Sequence, residues 1–585
     1  MASSEPSAMK SLWITWAACL VIVLWTCLPI LDTPQLEPDD YRYLQHLQQL
    51  DQDFSGNLLE AATVENRWDD FWWWDANEKV RFFRPTVVLS YAIDSWIWGK
   101  KDIAYGLCLS NLLIHLGCVL LVALLLHLWL GAGPPAFLAS AAFAALWAHG
   151  EVIWYVAGRT DSLAALGFLA AFALHVLGEE RPWLRWMALP CFVFSFLTKE
   201  LTIALPVLLV LQDWLISKRY RDLGALFRGE APLMAAYAVC ALGVFVIKEV
   251  ALGNTGSALI YPYFVSPTNP EFLSHLWHQL QSYSGNLFLA EVTVPFATSA
   301  QIAERHSGLG LVCLAVFLGA CVTWLRKDPR LPFFLLFAFL TWLPTSFVYL
   351  SERYLYLPSI PFVALLGLLV AKPSRVDFQR GLQVLLLGFV AVQAWALREK
   401  NGLLTQVPRD PDIMERQLAA LPAPIPKGAR IFIINLPGDW LGAQFAQDQL
   451  RVQLADPTLT VRVLTIMPGH NKMGSAMGYG MKVRALDRHT IRVEGGLLDN
   501  VRHPAMVRNK IPFPWRDFGT GSAYKMPFVD VEIRDGVPEQ VNIIDFTFAE
   551  PHATCYFLWW HANPNSSLPP YERRLRGRVE HIQPR

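Results

Sequence analysis

Four short stretches hold the side chains that could do chemistry. "EPDDYRYL" (37–44) pairs two acids, Asp39 and Asp40, nine residues or fewer after a long apolar run. "HGEVIWYVAGRTDSLAAL" (149–166) supplies His149, Glu151, Arg159 and Asp161. "LTKELTIALP" (197–206) supplies Lys199 and Glu200, and "LSERYLYLPS" (350–359) supplies Glu352, Arg353, Tyr354 and Tyr356. A carboxylate can take a proton from a hydroxyl during attack on an electrophile, and arginine or lysine can hold a phosphate. Each group alone also fits an ordinary role: acid pairs favour solvated loops, and cations at span ends reach for the interface along apolar stems. Their recurrence at the edges of apolar runs makes the set worth positioning.

The elements that position them belong to a membrane protein. The chain has 585 residues, 54% hydrophobic, only 17% charged, with 23 tryptophans. Soluble chains carry about 25% charged residues. Formal net charge is zero, which argues against a nucleic-acid partner, for which a basic patch is needed. Eight of the nine cysteines fall in apolar runs, and only Cys555 lies beyond them, so no disulfide framework or zinc spacing is present. With roughly 20 apolar residues per crossing, the runs at 11–31, 103–127, 134–149, 160–177, 184–198, 201–216, 231–250, 308–325, 332–350, 357–372 and 381–398 read as eleven transmembrane helices. The first is too long for a signal peptide and lacks a small-residue cleavage site before Asp32.

Lys/Arg clusters at 181–185, 218–228, 326–330 and 372–380 alternate onto the side of Lys10. The positive-inside rule makes that side cytoplasmic. The loops 32–102 and 251–307, the chemistry-bearing segments and everything after residue 400 then face outward. "WDDFWWWD" (68–75) has interface-loving aromatics, and 271–290 has apolar residues at helical spacing that fit a surface-lying helix. Residues 1–400 read as the catalytic membrane domain, outer loops included, and 401–585 as a soluble α+β domain. In the latter, 429–437, 459–468, 489–496, 527–536, 540–549 and 554–561 read as strands and 439–456 as a helix, without tandem repeats. Trp515, Trp559 and Trp560 could bind glycan there, and "NSS" (565–567) matches a glycosylation sequon.

"DDYRYL", then "FRPTVVLSYAIDSWIWG" (83–99, opening with Arg84) running into "LSNLLIHL", then "HGEVIWYVAGRTDSLAAL", "LTKELTIALP" and "ERYLYLPS", occur in one order. That order resembles the membrane half of the transmembrane-and-TPR O-mannosyltransferases and, more broadly, the GT-C glycosyltransferases, including protein O-mannosyltransferases. The resemblance covers about residues 10–370 and stops in the tail, where TPR repeats are missing. It implies a polyprenyl-phosphate sugar donor, a lumenal or periplasmic active site and inverting transfer of a mannose-like sugar to a hydroxyl, with Asp39 as general base supported by Asp40. Arg353, Lys199 and Arg159 are the candidates for donor phosphate. Glu151, Asp161, His149, Glu200, Tyr354 and Arg84 are the candidates for substrate. The leaving phosphate needs cations more than an acid. A carboxylate-held Mg²⁺ or Mn²⁺ could substitute for them, but the expected reading has no certain cofactor. The acceptor is a protein, a lipid or a glycan. A transporter or an inactive scaffold are the other classes; transporters gather charge near the midplane of repeated halves, and here it gathers at one face. The compact tail without TPR repeats points to a bacterial inner membrane with a periplasmic tail.

Overall fold

Leucine-, alanine- and phenylalanine-rich runs have no way to satisfy their backbone in lipid except as helices, and the long apolar runs before residue 400 form helices, some of them broken, in the computed structural model. The described residues are 5–67, 72, 79–253, 265–270, 272–291, 308–372, 376–406, 425–434, 440–465, 482–495, 519–537, 540–561 and 576–580. They fall into two compact units: Met1–Leu36 with Phe83–Asn254 and Pro262–Val407, and Glu37–Phe82 with Thr255–Tyr261 and Pro408–Arg585.

In the first unit six helical stretches are long and apolar enough to cross a membrane: Ala8–Asp32, Ile103–Leu130, Val156–Leu177, Leu223–Leu252, Arg330–Phe347 and Val376–Leu403. A seventh exists if Pro134–Ala145 and Trp147–Trp154, bent by 47°, are one span. The unit therefore reads as an integral membrane body, but eleven full-length spans are not found among the described residues. The run at 184–198 is the 17-residue helix Pro182–Thr198, and those at 308–325 and 357–372 are Leu309–Leu325 and Ser359–Ala371, of 17 and 13 residues. The run at 201–216 breaks into a 3₁₀ turn Glu200–Ala204, a short α-helix Leu205–Leu211 and a π-turn Gln212–Ile216. Pro206 brings no N–H to this break, as suits the first turn of a helix. The other break has a local cause too: Leu146 takes an extended conformation (φ −65°, ψ 123°), ending Pro134–Ala145 and starting a 3₁₀ turn. An additional helix, Pro85–Trp98, precedes the second run.

The helix Phe272–Leu289 covers the stretch expected to form a surface-lying helix. It buries Gln279, Ser282, Tyr283, Ser284, Gly285 and Asn286 and exposes Leu273, Trp277 and Leu280. Polar side chains thus lie on its buried side and apolar ones on its exposed side. Gln279 donates through Nε2 to the backbone oxygens of Thr345 (3.1 Å) and Val348 (2.9 Å). Its approach to Leu309–Leu325 is so close that a Cβ on Gly310 would lie 2.6 Å from the Gly285 nitrogen, the small-residue contact that lets helices touch in membranes.

The second unit is α+β. Arg430–Ile434, the helix Trp440–Gln453 and Thr460–Val463 form a strand–helix–strand unit whose two strands are parallel. Ile431 to Ile434 are all buried, the continuous apolar run of a strand covered on both faces. Tyr556–His561 adds in parallel on the other side and Arg576–Glu580 closes the sheet antiparallel. A second, antiparallel sheet has the order Lys482–Ala485, Thr490–Glu494, Gln540–Phe548, Val529–Val537, Ala523–Met526. Its strands alternate, with Ile491, Val493, Val531, Ile533, Ile544 and Phe546 turned inward. Phe548 meets Phe432 (ring centroids 4.7 Å) and Phe557 (5.6 Å), joining the two sheets' cores.

Residues 37–82 group with this unit, not with the membrane unit to which the sequence reading gave them. The helix Pro38–Asp53 packs on Trp440–Gln453, tied by the buried pair Arg42 Nε–Asp448 Oδ2 at 2.7 Å. Trp72, from the stretch expected at a bilayer interface, is fully buried in protein: its indole donates to Leu464 O (2.8 Å) and its ring lies against Tyr524 and Phe546. A Trp ring takes such a place when its N–H finds a partner. The rest of 68–75, Trp515, the 565–567 sequon and residues 254–264, 271 and 292–307 of the loop 251–307 lie outside the described residues. Trp559 and Trp560 sit on the strand Tyr556–His561.

Candidate active site

In the membrane unit the charged candidates sit where helices break. Glu151 is on the short helix Gly150–Trp154, Asp161 in the first turn of Arg159–Leu177, Lys199 on the extended residue after Pro182–Thr198, and Arg353 on the 3₁₀ turn Glu352–Leu355. Such ends bring side chains from four separate segments to one place. Lys199 Nζ lies 2.5 Å from Asp161 Oδ1, and Arg353 Nε lies 3.6 Å from Asp161 Oδ2. Arg353 Nη1 is 3.3 Å from Glu151 Oε1, and the Arg353 backbone N–H donates to Glu151 Oε2 at 3.2 Å. The Ser351 hydroxyl donates into the same carboxylate, 2.8 and 2.7 Å from its two oxygens.

Tyrosines wall this cluster. The Arg353 guanidinium lies 5.5, 5.8 and 5.6 Å from the rings of Tyr155, Tyr349 and Tyr354, and its Nη2 donates to the Tyr349 hydroxyl. Lys199 Nζ is 4.7 Å from the Tyr354 ring. The two cations are only 13% and 10% exposed, yet Arg353 Nε has no hydrogen-bond acceptor within reach among the described residues. Burial pushes the Lys199 ammonium down to about 8; Asp161 opposes this, and the Arg353 and Arg84 charges add to it. Arg84, half-buried at the N-terminus of Pro85–Trp98, thus belongs to the electrostatic surroundings of Lys199. The arrangement holds two acids against two cations with a third nearby. It can take an anion such as phosphate, which would share the arginine fork and the ammonium with Glu151 and Asp161.

The other candidates are placed differently. Arg159 is completely buried and its donors go to protein: Nη1 to Asp94 Oδ2 (2.7 Å) and Ser90 Oγ (3.3 Å), Nε to Asn111 Oδ1 (2.9 Å), Nη2 to Leu107 O (2.9 Å). With Tyr91 also beneath it at 4.5 Å, it serves as a buried clamp between helices, and phosphate contact is not where its fork points. His149 is buried too, its Nε2 2.9 Å from Ser359 Oγ and its ring 4.7 Å from Tyr356 and 5.8 Å from His115; it belongs to the aromatic core. Glu200 is exposed and paired with Lys248. Sequence reasoning missed Asp94 and Lys400. Asp94, a lone acid in an apolar helix, signals a buried partner. Lys400, in "LREKNG", looks like an interface anchor, but it turns inward to pair with Glu352.

In the second unit Asp39 and Asp40 open the helix Pro38–Asp53. Asp40 is buried and accepts from the Glu37 backbone N–H at 2.7 Å, closing the first turn as a capping-box acid does. Asp39 stands half-buried in the same turn. Among the described residues no three His, Cys, Asp or Glu side chains gather as a metal site. Glu151 and Asp161 are each engaged by cations, so the residues fit Mg²⁺ or Mn²⁺ poorly and no step is routed through a metal.

No protein-family model and no curated protein matches the chain. Among solved structures it is similar to ArnT from Cupriavidus metallidurans bound to undecaprenyl phosphate (TM-score 0.37, 16% identity, 79% of this chain and 86% of that one). It is also similar to the Archaeoglobus fulgidus oligosaccharyltransferase tethered to an acceptor peptide containing an NVT sequon (TM-score 0.43, 12% identity, 80% of this chain and 65% of that one). Likeness at this level gives no residue its role; the roles rest on the side-chain geometry above.

Proposed function

We propose that the chain is a membrane glycosyltransferase that moves a sugar from a polyprenyl-phosphate donor to an acceptor hydroxyl with inversion. The observation that carries this reading is the Arg353–Lys199 pair, nearly buried, walled by tyrosines, and set against Glu151 and Asp161. Burying two cations without a use for them is costly; an anionic headgroup supplies the use. Arg353 grips the phosphate through its fork, Lys199 adds a compact charge, and Tyr354 holds both heads in place. Asp39, on the first acidic position of the motif, takes the proton of the acceptor hydroxyl. The hydroxyl oxygen bonds to the anomeric carbon, the bond from that carbon to the phosphate oxygen breaks, and polyprenyl phosphate leaves with the electron pair. Glu151 and Asp161 orient the cations. Arg159 positions helices and takes no phosphate.

A mannose-like sugar, a protein acceptor and a bacterial inner membrane with periplasmic chemistry complete the reading; the sugar and acceptor rest on the motif resemblance, the bacterial membrane on the compact tail without TPR repeats, and the orientation on the Lys/Arg asymmetry. The test is transfer by the purified full chain in nanodiscs, offered polyprenyl-phosphate mannose and other polyprenyl-phosphate sugars with peptide, glycan and lipid acceptors. Release of polyprenyl phosphate that depends on Arg353 and Asp39 supports the reading. Consumption of none of these donors, or equal turnover in Arg353→Ala and Asp39→Asn, overturns it.

A further inference from the structure

We propose that Lys400 is a positioning residue for Arg353, acting through the two turns that carry the Arg353–Glu151 pair; the inference rests on the reading that Arg353 grips a lipid phosphate. A lysine near the end of a long apolar helix is expected to reach for water along its stem. Lys400, close to the C-terminal end of Val376–Gln406, does the opposite: it is 8% exposed and its ammonium pairs with the buried Glu352 carboxylate. Its Nζ also lies 4.4 Å from the Trp147 ring. The stem crosses Gly150 so closely that a Cβ there would come 3.0 Å from both Cε and Nζ.

Two of those contacts are one peptide from the cation cluster. Glu352 precedes Arg353, and Gly150 precedes Glu151. One ammonium therefore pins both turns whose next residues meet at 3.3 Å. The same region of the helix is tied down independently: Gln393 Oε1 accepts the Trp147 backbone N–H at 2.9 Å, and Asn401 Nδ2 donates to Thr26 O at 2.9 Å. The lysine is thus held by a fixed helix. Removing the ammonium deprives Glu352 of its lysine beside the arginine, where its charge competes with an incoming phosphate for the guanidinium.

The test measures the dissociation constant of undecaprenyl phosphate on the full-length protein in nanodiscs. Lys400→Met keeps the stem and removes the charge; affinity should fall by about tenfold, since losing one partner of a buried pair is costly and loosens the turn that carries Arg353. Lys400→Met/Glu352→Gln removes both charges and should return affinity to within about threefold of the parent. A role confined to packing would not be rescued by that second change. Gly150→Ala keeps every charge and displaces the stem; it should weaken binding and so serves if Lys400→Met does not fold. Unchanged affinity in Lys400→Met, or a double variant no better than the single, overturns the proposal. Arg353→Ala is the control: if it leaves affinity unchanged, the phosphate reading itself falls and the proposal with it, whereas loss in Arg353→Ala with none in Lys400→Met removes only the lysine's role.

Discussion

Arg353 and Glu151, 202 residues apart in the chain, meet twice: the arginine's backbone N–H donates to one carboxylate oxygen at 3.2 Å, and its guanidinium lies 3.3 Å from the other. One acid thereby fixes the peptide and the head of the same arginine. A guanidinium held at both ends loses little freedom when an anion arrives, which is how preorganisation raises affinity.

Replacing Arg353 tests that grip most directly. Arg353→Ala should weaken undecaprenyl phosphate binding by about 1.5–3 kcal/mol, the range for a lost charge-assisted bond. Arg353→Lys should recover part of it, because an ammonium lacks the planar fork. Equilibrium binding in nanodiscs is the measurement, and an alanine variant of parental affinity would remove Arg353 from the phosphate site.

Lys199 should give binding an alkaline limb. Burial lowers its ammonium to about 8. A bound phosphate favours the charged form, so the bound protein holds its proton to higher pH than the free one. Binding then takes up a proton above pH 8, and affinity should fall by up to about tenfold per pH unit there while staying level between 7 and 7.5. The phosphate's own second proton, lost near pH 6, lies below that window. Lys199→Arg should flatten the limb; a limb of the same slope in that variant would assign it to another group.

The two acids of the first motif should separate cleanly. Asp39→Asn should lower turnover by roughly 10²–10⁴-fold, the range for a general base, with the melting temperature unchanged. Asp40→Ala removes the acceptor of the Glu37 N–H and should cost about 1 kcal/mol of stability, as losing a helix cap does. Parental turnover in Asp39→Asn, with loss in a folded Asp40→Asn or in Glu151→Gln, would reassign the base.

Arg159 should behave as the opposite of Arg353. Arg159→Met leaves Asp94 buried without its arginine and should destabilise by about 3–5 kcal/mol. The protein that folds should bind undecaprenyl phosphate with nearly parental affinity. A stable variant that has lost the lipid would return Arg159 to the phosphate site.

Orientation is open to a simpler experiment. The proposed outward tail rests on the Lys/Arg asymmetry; under that proposal a periplasm-active reporter fused after residue 400 should work and a cytoplasm-only reporter should stay silent. The reverse would move the proposed site to the other face.

Much of this was legible in the residues. Apolar runs marked most helices of the membrane unit, though not Pro85–Trp98, and alternation bounded by turn residues marked the strands at 430–434, 460–463, 490–494, 529–537, 540–548 and 556–561. Motif order brought Glu151, Asp161, Lys199, Arg353 and Tyr354 forward as a set, and their side chains meet. Sequence could not say which cations were already spent inside the protein, because Arg159 is answered by Asp94 and Asn111 from other helices, and Lys400 by Glu352 from a distant turn. Nor could it say where runs of adequate hydropathy would break, since Leu146 and Pro206 act through single backbone positions. The company kept by residues 37–82 is hardest of all to read: it depends on contacts such as Trp72 with Leu464, 392 positions away.

The pairing of Pro38–Asp53 with Trp440–Gln453 also sets an order of events. During synthesis the helix that carries Asp39 emerges well before the helix that carries Asp448, its partner through Arg42. Chains fold as they are made, N-terminal parts first, but this acid-bearing helix must wait for its neighbour. A nascent chain that stops before Trp440 therefore lacks the packing partner of Pro38–Asp53, and the helix that carries Asp39 gains its neighbour only once residues 440–453 have been made.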